Sequence, residues 1–366
     1  MILLAHKIAI YPNKNQEQFF EQACGSRRHL YNNLVSHFSQ EDVKFSKKSA
    51  REFYYDIRKD FNWYNELSTE IFQATISDLE AAFKGFFSGR TSYPKFHKKG
   101  IKDSFRITQS PKFRVDGNKL YIEKFNKGRN GVPIKLRESI RFEGKPKQLT
   151  ISKKAGKWFA SILVEVESGY KLKQPKEGKQ VGIDLGVKTL VTTSDGQSLG
   201  KSDKLSKQLK RLARLQQKLV KQKKGSNRRV KTKQKIQKLH FFVVQQRLAL
   251  LHSISDYLTS GYSKVCMEDL SIKSMLESSN PNLSRMISDV GMYEFRRQVE
   301  YKSFLRGGKV VIIDRFFPSS KMCSSCRHVK ETLKLSERKY ECVECGLEID
   351  RDLNAAINIL NEGLLK

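Results

Sequence analysis

The chain has 366 residues and carries 70 Lys and Arg against 38 Asp and Glu, a net charge of +32. That length suffices for two or three domains with hydrophobic cores, and cations spread along the whole chain read as a match to phosphate rather than as a merely solvated surface. No lipidation motif, signal-peptide core or apolar run of membrane-spanning length accompanies the charge, which argues against a membrane partner and for a reducing cytoplasm, where six cysteines need a use other than disulfides.

LLAHKIAIY (3–11) is β-prone and is broken by Pro12 and Asn13. From Gln16 to about Phe38 apolar residues recur at helical period, and a second such stripe places Phe72, Ile76, Leu79, Phe83 and Phe86 on one face. The first hundred residues therefore predict one strand and then a small helical domain. After the basic stretch SYPKFHKKGIKDSF (92–105), QLTIS (148–152) and WFASILVEVE (158–167) flank the turn-forming KKAGK. The second run alternates, with Trp158, Ala160, Ile162, Val164 and Val166 on one face. This predicts an antiparallel sheet or small barrel, and if the opening strand joins it, the helical domain is an insertion.

QPKEGK (174–179) reads as a linker. VGIDLG (181–186) and TLVTTSDG (189–196) read as strands, and Lys204 to Leu258 as a long helical hairpin broken by KKGSN (223–227). Leu205, Leu209, Leu212, Leu215 and Leu219 form one stripe of the hairpin; its outer faces are dense in Lys and Arg and suit either solvent or phosphate. SKVCMED (263–269) and KVVIID (309–314) complete the strands, with a helix at about 290–306 between them. Strands alternating with helices after an all-β segment predict a separate α/β domain.

CSSC at 323–326 and CVEC at 342–345 are two Cys-x-x-Cys pairs. Cys323, Cys326, Cys342 and Cys345 can each chelate from a tight turn, and four thiolates suit a closed, structural zinc site. Disulfides are disfavoured by compartment; an iron–sulfur cluster is the remaining alternative. Cys24 and Cys266 lie in apolar segments and read as core. Three carboxylates also stand out. Asp184 interrupts an apolar strand, Glu268 ends another, and Asp352 opens a short helical run. A carboxylate in such a setting is costly unless it is paired or binds a metal.

GIDLG, MEDL, SSKMCSSC…CVEC and DRDLNAAINIL, in that order, resemble the TnpB family, transposon-encoded nucleases related to type V CRISPR effectors. PNKNQ…RRHLYNN and YPKFHKK…SF are similar to that family's front half, so the resemblance spans essentially the whole chain. It implies an α+β multidomain protein: a β-barrel wedge domain (1–12 and 104–175), an inserted helical recognition domain (13–103), an RNase H-like (RuvC) nuclease domain (176–318 and 348–366), and a four-cysteine zinc element (319–347). Asp184, Glu268 and Asp352 would be its catalytic ligands for two Mg²⁺ ions, with Asp269 and Asp350 as neighbours shaping the site. The implied activity is RNA-guided cleavage of double-stranded DNA beside a short target-adjacent motif. The partners would be a guide RNA from the element's own transcript, target DNA and a co-encoded transposase, in a prokaryotic cytoplasm at the nucleoid. By the same analogy, the basic hairpin would line the guide–target duplex. A DNA-binding regulator without cleavage and a strand-transferring transposase are the competing functions. One departure from the family pattern is Arg327, which follows the first cysteine pair where Gly is common.

Overall fold

The computed structural model describes residues 1–40, 43–108, 112–125, 132–167, 172, 174–175, 178–186, 189–200, 203–271, 274, 277, 291–334 and 337–366, without the side chains of 203–206. Lys176 and Glu177 of the expected linker, and the side chain of Leu205, lie outside this set. The chain divides into two compact units, Met1–Tyr170 and Lys171–Lys366.

In the first unit, β1 (Ile2–Tyr11) is followed by α1 (Lys14–His37), α2 (Lys47–Asp60), a 3₁₀ turn (Asn62–Glu66) and α3 (Thr69–Phe87). Pro12 stops the strand and Asn13 starts the helix. The Asn13 side chain accepts the Gln16 N–H at 2.9 Å while Gln16 returns the bond to the Asn13 N–H at 2.9 Å, a reciprocal cap. The helix α2 was not foreseen from apolar period, because it buries only Ala50 and Tyr54.

Six further strands follow: β2 (Ser104–Ile107), β3 (Phe113–Asp116), β4 (Lys119–Ile122), β5 (Ile134–Leu136), β6 (Lys145–Lys154) and β7 (Lys157–Val166). They join β1 in one antiparallel sheet, ordered β2-β6-β7-β1-β5-β4-β3, which curls into a nearly closed barrel. The opening strand does belong to it: β1 pairs with β7 from Ile2↔Val166 to Ile10↔Trp158. The three helices thus leave and re-enter the barrel between β1 and β2. One continuous core, including Phe20, Leu34, Phe72, Phe105, Trp158 and Ile162, serves both helices and sheet.

The second unit is built on β8 (Gln180–Leu185), β9 (Val191–Thr193), β10 (Ser198–Leu199), β11 (Lys264–Glu268) and β12 (Lys309–Ile313), in the order β10-β9-β8-β11-β12. The strands β8, β11 and β12 are parallel, β9 returns antiparallel to β8, and β10, antiparallel to β9, runs in the direction of β8 again. This is the RNase H-like order. Between β10 and β11 runs the hairpin of α4 (Asp203–Val220) and α5 (Asn227–Gly261). Between β11 and β12 lies α6 (Met292–Arg306).

Side chains alternate on a strand, so each strand serves two faces. Val181, Ile183, Val265 and Met267 point to one face and pack against Leu251, Ile254 and Leu258 of α5 and Phe295 and Val299 of α6. The other face is covered by α7 (Arg351–Leu364). A short antiparallel pair, β13 (Lys339–Glu341) and β14 (Glu348–Asp350), leads directly into that helix.

Candidate functional site

The parallel pairing of β8 and β11 runs Val265↔Val181, Cys266↔Gly182, Met267↔Ile183. One residue further on, Glu268 and Asp184 stand side by side at the carboxyl ends of neighbouring parallel strands, where open α/β sheets hold their ligands. Both point to the α7 face, the side on which Gly182 and Cys266 meet the helix.

The glycines explain how close that helix comes. A Cβ added at Gly182 would lie 2.1 Å from the Ala356 carbonyl oxygen and 2.5 Å from the Leu360 nitrogen. Likewise, a Cβ at Gly363 would lie 2.4 Å from Cys266 Sγ. The helix therefore runs back along the strands. Two strand residues from Gly182 to Asp184 advance about 6.6 Å, and four helical residues from Ala356 to Asp352 return about 6 Å. Asp352 is thereby brought over the strand ends.

The three carboxylates sense one another. Asp184 is pushed up to about 7 by burial first, then by the charges of Glu268 and Asp352, with Arg351 partly opposing them. Glu268 is also raised by burial, partly relieved by the hydroxyl of Ser319, which donates to its Oε1. Asp352 leans on arginines: Arg351 Nη2 lies 3.4 Å from Oδ1, and Arg338 Nη1 lies 3.9 Å from Oδ2.

The neighbouring acids do different work. Asp350 is the N-cap of α7, accepting the backbone N–H of Asp352 at 2.9 Å and of Leu353 at 3.1 Å. Asp269 is held in a fork, with Arg296 Nη1 at 2.7 Å and Arg315 Nη2 at 2.5 Å. Those two arginines hold its carboxyl below the usual range.

Among the described residues, one group of three or more potential metal ligands closes to within 4.8 Å: Cys323, Cys326, Cys342 and Cys345. The carboxylates form no group so tight. The sulfur pairs Cys323–Cys345 and Cys326–Cys342 lie 3.6 and 3.5 Å apart, and all four cysteines are free thiols. A tetrahedron with metal–sulfur bonds of about 2.3 Å has edges near 3.8 Å, so the set fits a zinc ion.

The two cysteine turns repeat one pattern. The Cys323 N–H donates to the His328 carbonyl and the Arg327 N–H to the Cys323 carbonyl; the Cys342 N–H donates to the Leu347 carbonyl and the Gly346 N–H to the Cys342 carbonyl. Arg327 and Gly346 occupy matching left-handed positions, with φ of 64° and 71°. Backbone N–H groups of Cys345 and Glu344 help to draw the Cys342 thiol down to about 6, which favours the thiolate that a metal needs.

Two buried asparagines tie this element to α7. Asn354 Nδ2 donates to the Met322 carbonyl at 2.7 Å, and its Oδ1 accepts the Ser324 N–H at 3.0 Å. Asn358 Nδ2 donates to the Ser319 and Met322 carbonyls at 2.9 and 2.7 Å. Ser319, Asn354 and Asn358 were not singled out from sequence. The signal was present for the asparagines, since two carboxamides four residues apart sit on the buried face of an apolar helix.

A family model described as "Probable transposase" matches residues 161–279, one described as "Cas12f1-like, TNB domain" matches 293–359, and one described as "Helix-turn-helix domain" matches 1–40, a stretch that here forms β1 and α1. The "Putative RNA-guided DNA endonuclease InsQ" of Escherichia coli (strain K12) is 30% identical over 99% of this chain and 92% of its own length. A "Putative RNA-guided DNA endonuclease" of Streptomyces pristinaespiralis is 32% identical over 98% of this chain and 89% of its own. The fold is similar to that of a Cas12f1 chain from a structure with guide RNA and target DNA, at a TM-score of 0.58 and 18% identity over 95% of this chain and 83% of that one. With relatives of this identity matched end to end, the chain belongs to the TnpB family of transposon-encoded proteins.

Proposed function

We propose that this protein is an RNA-guided, Mg²⁺-dependent DNA endonuclease of a transposable element. It would cut double-stranded DNA beside a short target-adjacent motif at a single RuvC-like site formed by Asp184, Glu268 and Asp352. The observation that carries the reading is the meeting of Asp184 and Glu268 at adjacent parallel strand ends, with Asp352 brought to them by α7.

The donor set fits magnesium. Three hard carboxylates, two of them raised by burial, form a site whose negative charge is only partly compensated by Arg351. When bound there, Mg²⁺ supplies an activated water and stabilises the leaving oxygen of a phosphodiester. The chain's own residues hold the ligands in place: Ser319 orients Glu268, Asp350 fixes the first turn of α7, and Arg351 braces Asp352. The four thiols fit zinc, which would brace the loop that Asn354 and Asn358 tie to α7. In this reading the barrel and the inserted helices of the first unit hold the guide RNA and read the target-adjacent motif, and base pairing to the guide reads the target.

RNA that co-purifies with the protein is sequenced first; an abundant species with a constant scaffold and a transposon-flanking end supports guiding. Protein loaded with that RNA is then mixed with target DNA and Mg²⁺. Cleavage that is lost on Asp184→Ala with target binding retained supports the nuclease. Bound but intact target with the unaltered chain favours a regulator, and strand-transfer products favour a transposase.

A further inference from the structure

The loop that leaves β12 carries two phenylalanines in succession, and their rings meet different fates. Phe317 is partly buried and packs against Cys266, Val311, Ile313 and Ile359, the small core between the sheet and α7. Phe316 is 87% exposed, the most exposed aromatic side chain among the described residues. It forgoes the burial that its neighbour obtains one residue further on.

The turn that presents this ring is pinned at several points. Asp314 Oδ1 accepts the Phe316 N–H at 2.7 Å, and the Phe317 N–H donates to the Asp314 carbonyl at 3.3 Å. The Ser319 N–H closes the turn on the Phe317 carbonyl at 2.8 Å. On one side of Phe316, Arg315 donates through Nη2 to Asp269 Oδ2 at 2.5 Å and through Nε to the Asp269 carbonyl at 3.1 Å. On the other side, the Ser319 hydroxyl donates to Glu268.

Those contacts also place the turn beside the carboxylates. In the parallel pairing of β11 with β12, Ile313 lies opposite Glu268. Three residues of extended chain reach at most about 11 Å, so Phe316 is rooted on the rim of the strand ends that hold Asp184 and Glu268. Packing against another protein would call for more apolar surface around the ring. Its neighbours Asp314 and Arg315 are instead exposed and charged. A flat ring, held in place and open beside a phosphodiester site, suits the face of a nucleobase. Within a duplex that face is covered by the next base pair, and exposing it costs unstacking.

We propose that Phe316 stacks on an unpaired base next to the phosphodiester held at Asp184, Glu268 and Asp352, so that the site takes a DNA strand that is locally single. The proposal rests on the endonuclease reading and deepens it, adding a contact to the substrate base that the carboxylates do not make.

The full chain, loaded with its co-purified RNA, is given a matched target in Mg²⁺ and the break is mapped. A second target carries abasic sites in place of the nucleotides flanking that break. Phe316→Ala should lower kcat/KM on the ordinary target about tenfold, the loss of one base–ring stack, while Phe316→Trp stays within about threefold of the parent. On the abasic target the parent should itself lose about tenfold, and Phe316→Ala should cost less than about twofold more, because the partner of the ring is already gone. A ring required only for folding costs the same on both targets. Equal losses, an unchanged Phe316→Ala or no rescue by Phe316→Trp overturn the proposal. A readout free of cleavage uses Asp184→Ala protein bound to a target with 2-aminopurine at the flanking positions. Its fluorescence should be quenched with Phe316 in place and rise on adding Phe316→Ala; equal fluorescence overturns the stack. A parent that binds its guide and target and cuts neither target overturns the endonuclease reading, and the stacking contact with it.

Discussion

The α-carbon of Gly182 lies directly beneath the carbonyl of Ala356, so near that a methyl group there would lie 2.1 Å from the oxygen. Strand β8 and helix α7 meet backbone to backbone at this point. That contact sets how far Asp352 stands from Asp184.

Gly182→Ala should therefore destabilise the second unit by about 3 kcal/mol, the upper end for overpacking, since the two nearest atoms are backbone rather than flexible side chain. The surviving folded protein should cleave poorly because α7 is pushed off the sheet. Gly261→Ala makes the comparison, for a Cβ there meets nothing within 4 Å. Thermal unfolding and a guided cleavage assay measure both; unchanged behaviour of Gly182→Ala would mean that the close approach is unimportant.

Asp184 links activity to stability. An unfolded Asp titrates near its ordinary value of 3.8, whereas in the fold it is raised to about 7. Between those values the folded chain holds more protons. Metal-free protein should thus gain stability as pH falls from 7 toward 4, and above 7 carry the full cost of a buried, charged Asp184 beside the other two carboxylates. Asp184→Asn removes that cost. In the presence of chelator at pH 8 it should be more stable than the parent by on the order of 2 kcal/mol, with the gain vanishing near pH 4. Urea titrations at both pH values test this, alongside the loss of cleavage.

In the proposed reading, Mg²⁺ held by these carboxylates must compete with those protons. At limiting Mg²⁺, cleavage should fall as pH drops below 7 and recover when Mg²⁺ is raised. A pH profile that is insensitive to Mg²⁺ concentration would contradict it.

At Arg327 the first cysteine turn holds a side chain in the left-handed region that Gly346 occupies in the second turn. Replacing it with glycine relieves the strain of the left-handed backbone, at some cost in unfolded-chain entropy. Arg327→Gly should retain zinc more tightly against a competing chelator, by about 0.5–1 kcal/mol. Gly346→Ala should lose zinc more readily by a similar amount.

Asn358→Leu leaves the Ser319 carbonyl without its donor inside the fold, and the Met322 carbonyl with the Asn354 carboxamide alone. A cost of about 1–3 kcal/mol follows from the one buried acceptor left unmatched. The loop that carries Ser319 to Glu268 should loosen with it. Cleavage should then fail in the same manner as after zinc removal or Cys342→Ser, with target DNA still bound. A variant that loses target binding together with cleavage would indicate wider unfolding.

Much of the architecture was legible because it rests on local signals. The break at Pro12 and Asn13, the alternation of Trp158 to Val166, and the two cysteine pairs each announce themselves within a few residues. The helix α2 did not, because a mostly exposed helix with two buried residues has no apolar stripe. The pairing of β1 with β7 across more than 150 residues could be stated only as a condition. In the site, Asp184 and Glu268 were visible as charges in apolar strands, whereas Asp352, at the start of a helix, was set apart from Asp350 only by the family resemblance. Ser319 was not, since a serine in a loop looks like any other until the fold sets it against Glu268. The asparagines of α7 were quoted within a motif but had no role until their carbonyl partners were known.

The pairing of β1 with β7 has a consequence for how the protein is made. Synthesis proceeds from the amino end, so Ile2 waits for Val166 before its ladder can close. During that interval α1, α2 and α3 emerge first and can pack through Leu34, Phe72 and Leu79. The strand meanwhile presents unpaired backbone edges, the usual starting point of misassembly. Its outer positions include Lys7, and Pro12 ends it before it can lengthen. Barrel closure is a long-range, slow event by its topology, and the helical insertion gives the nascent chain something to fold while it waits.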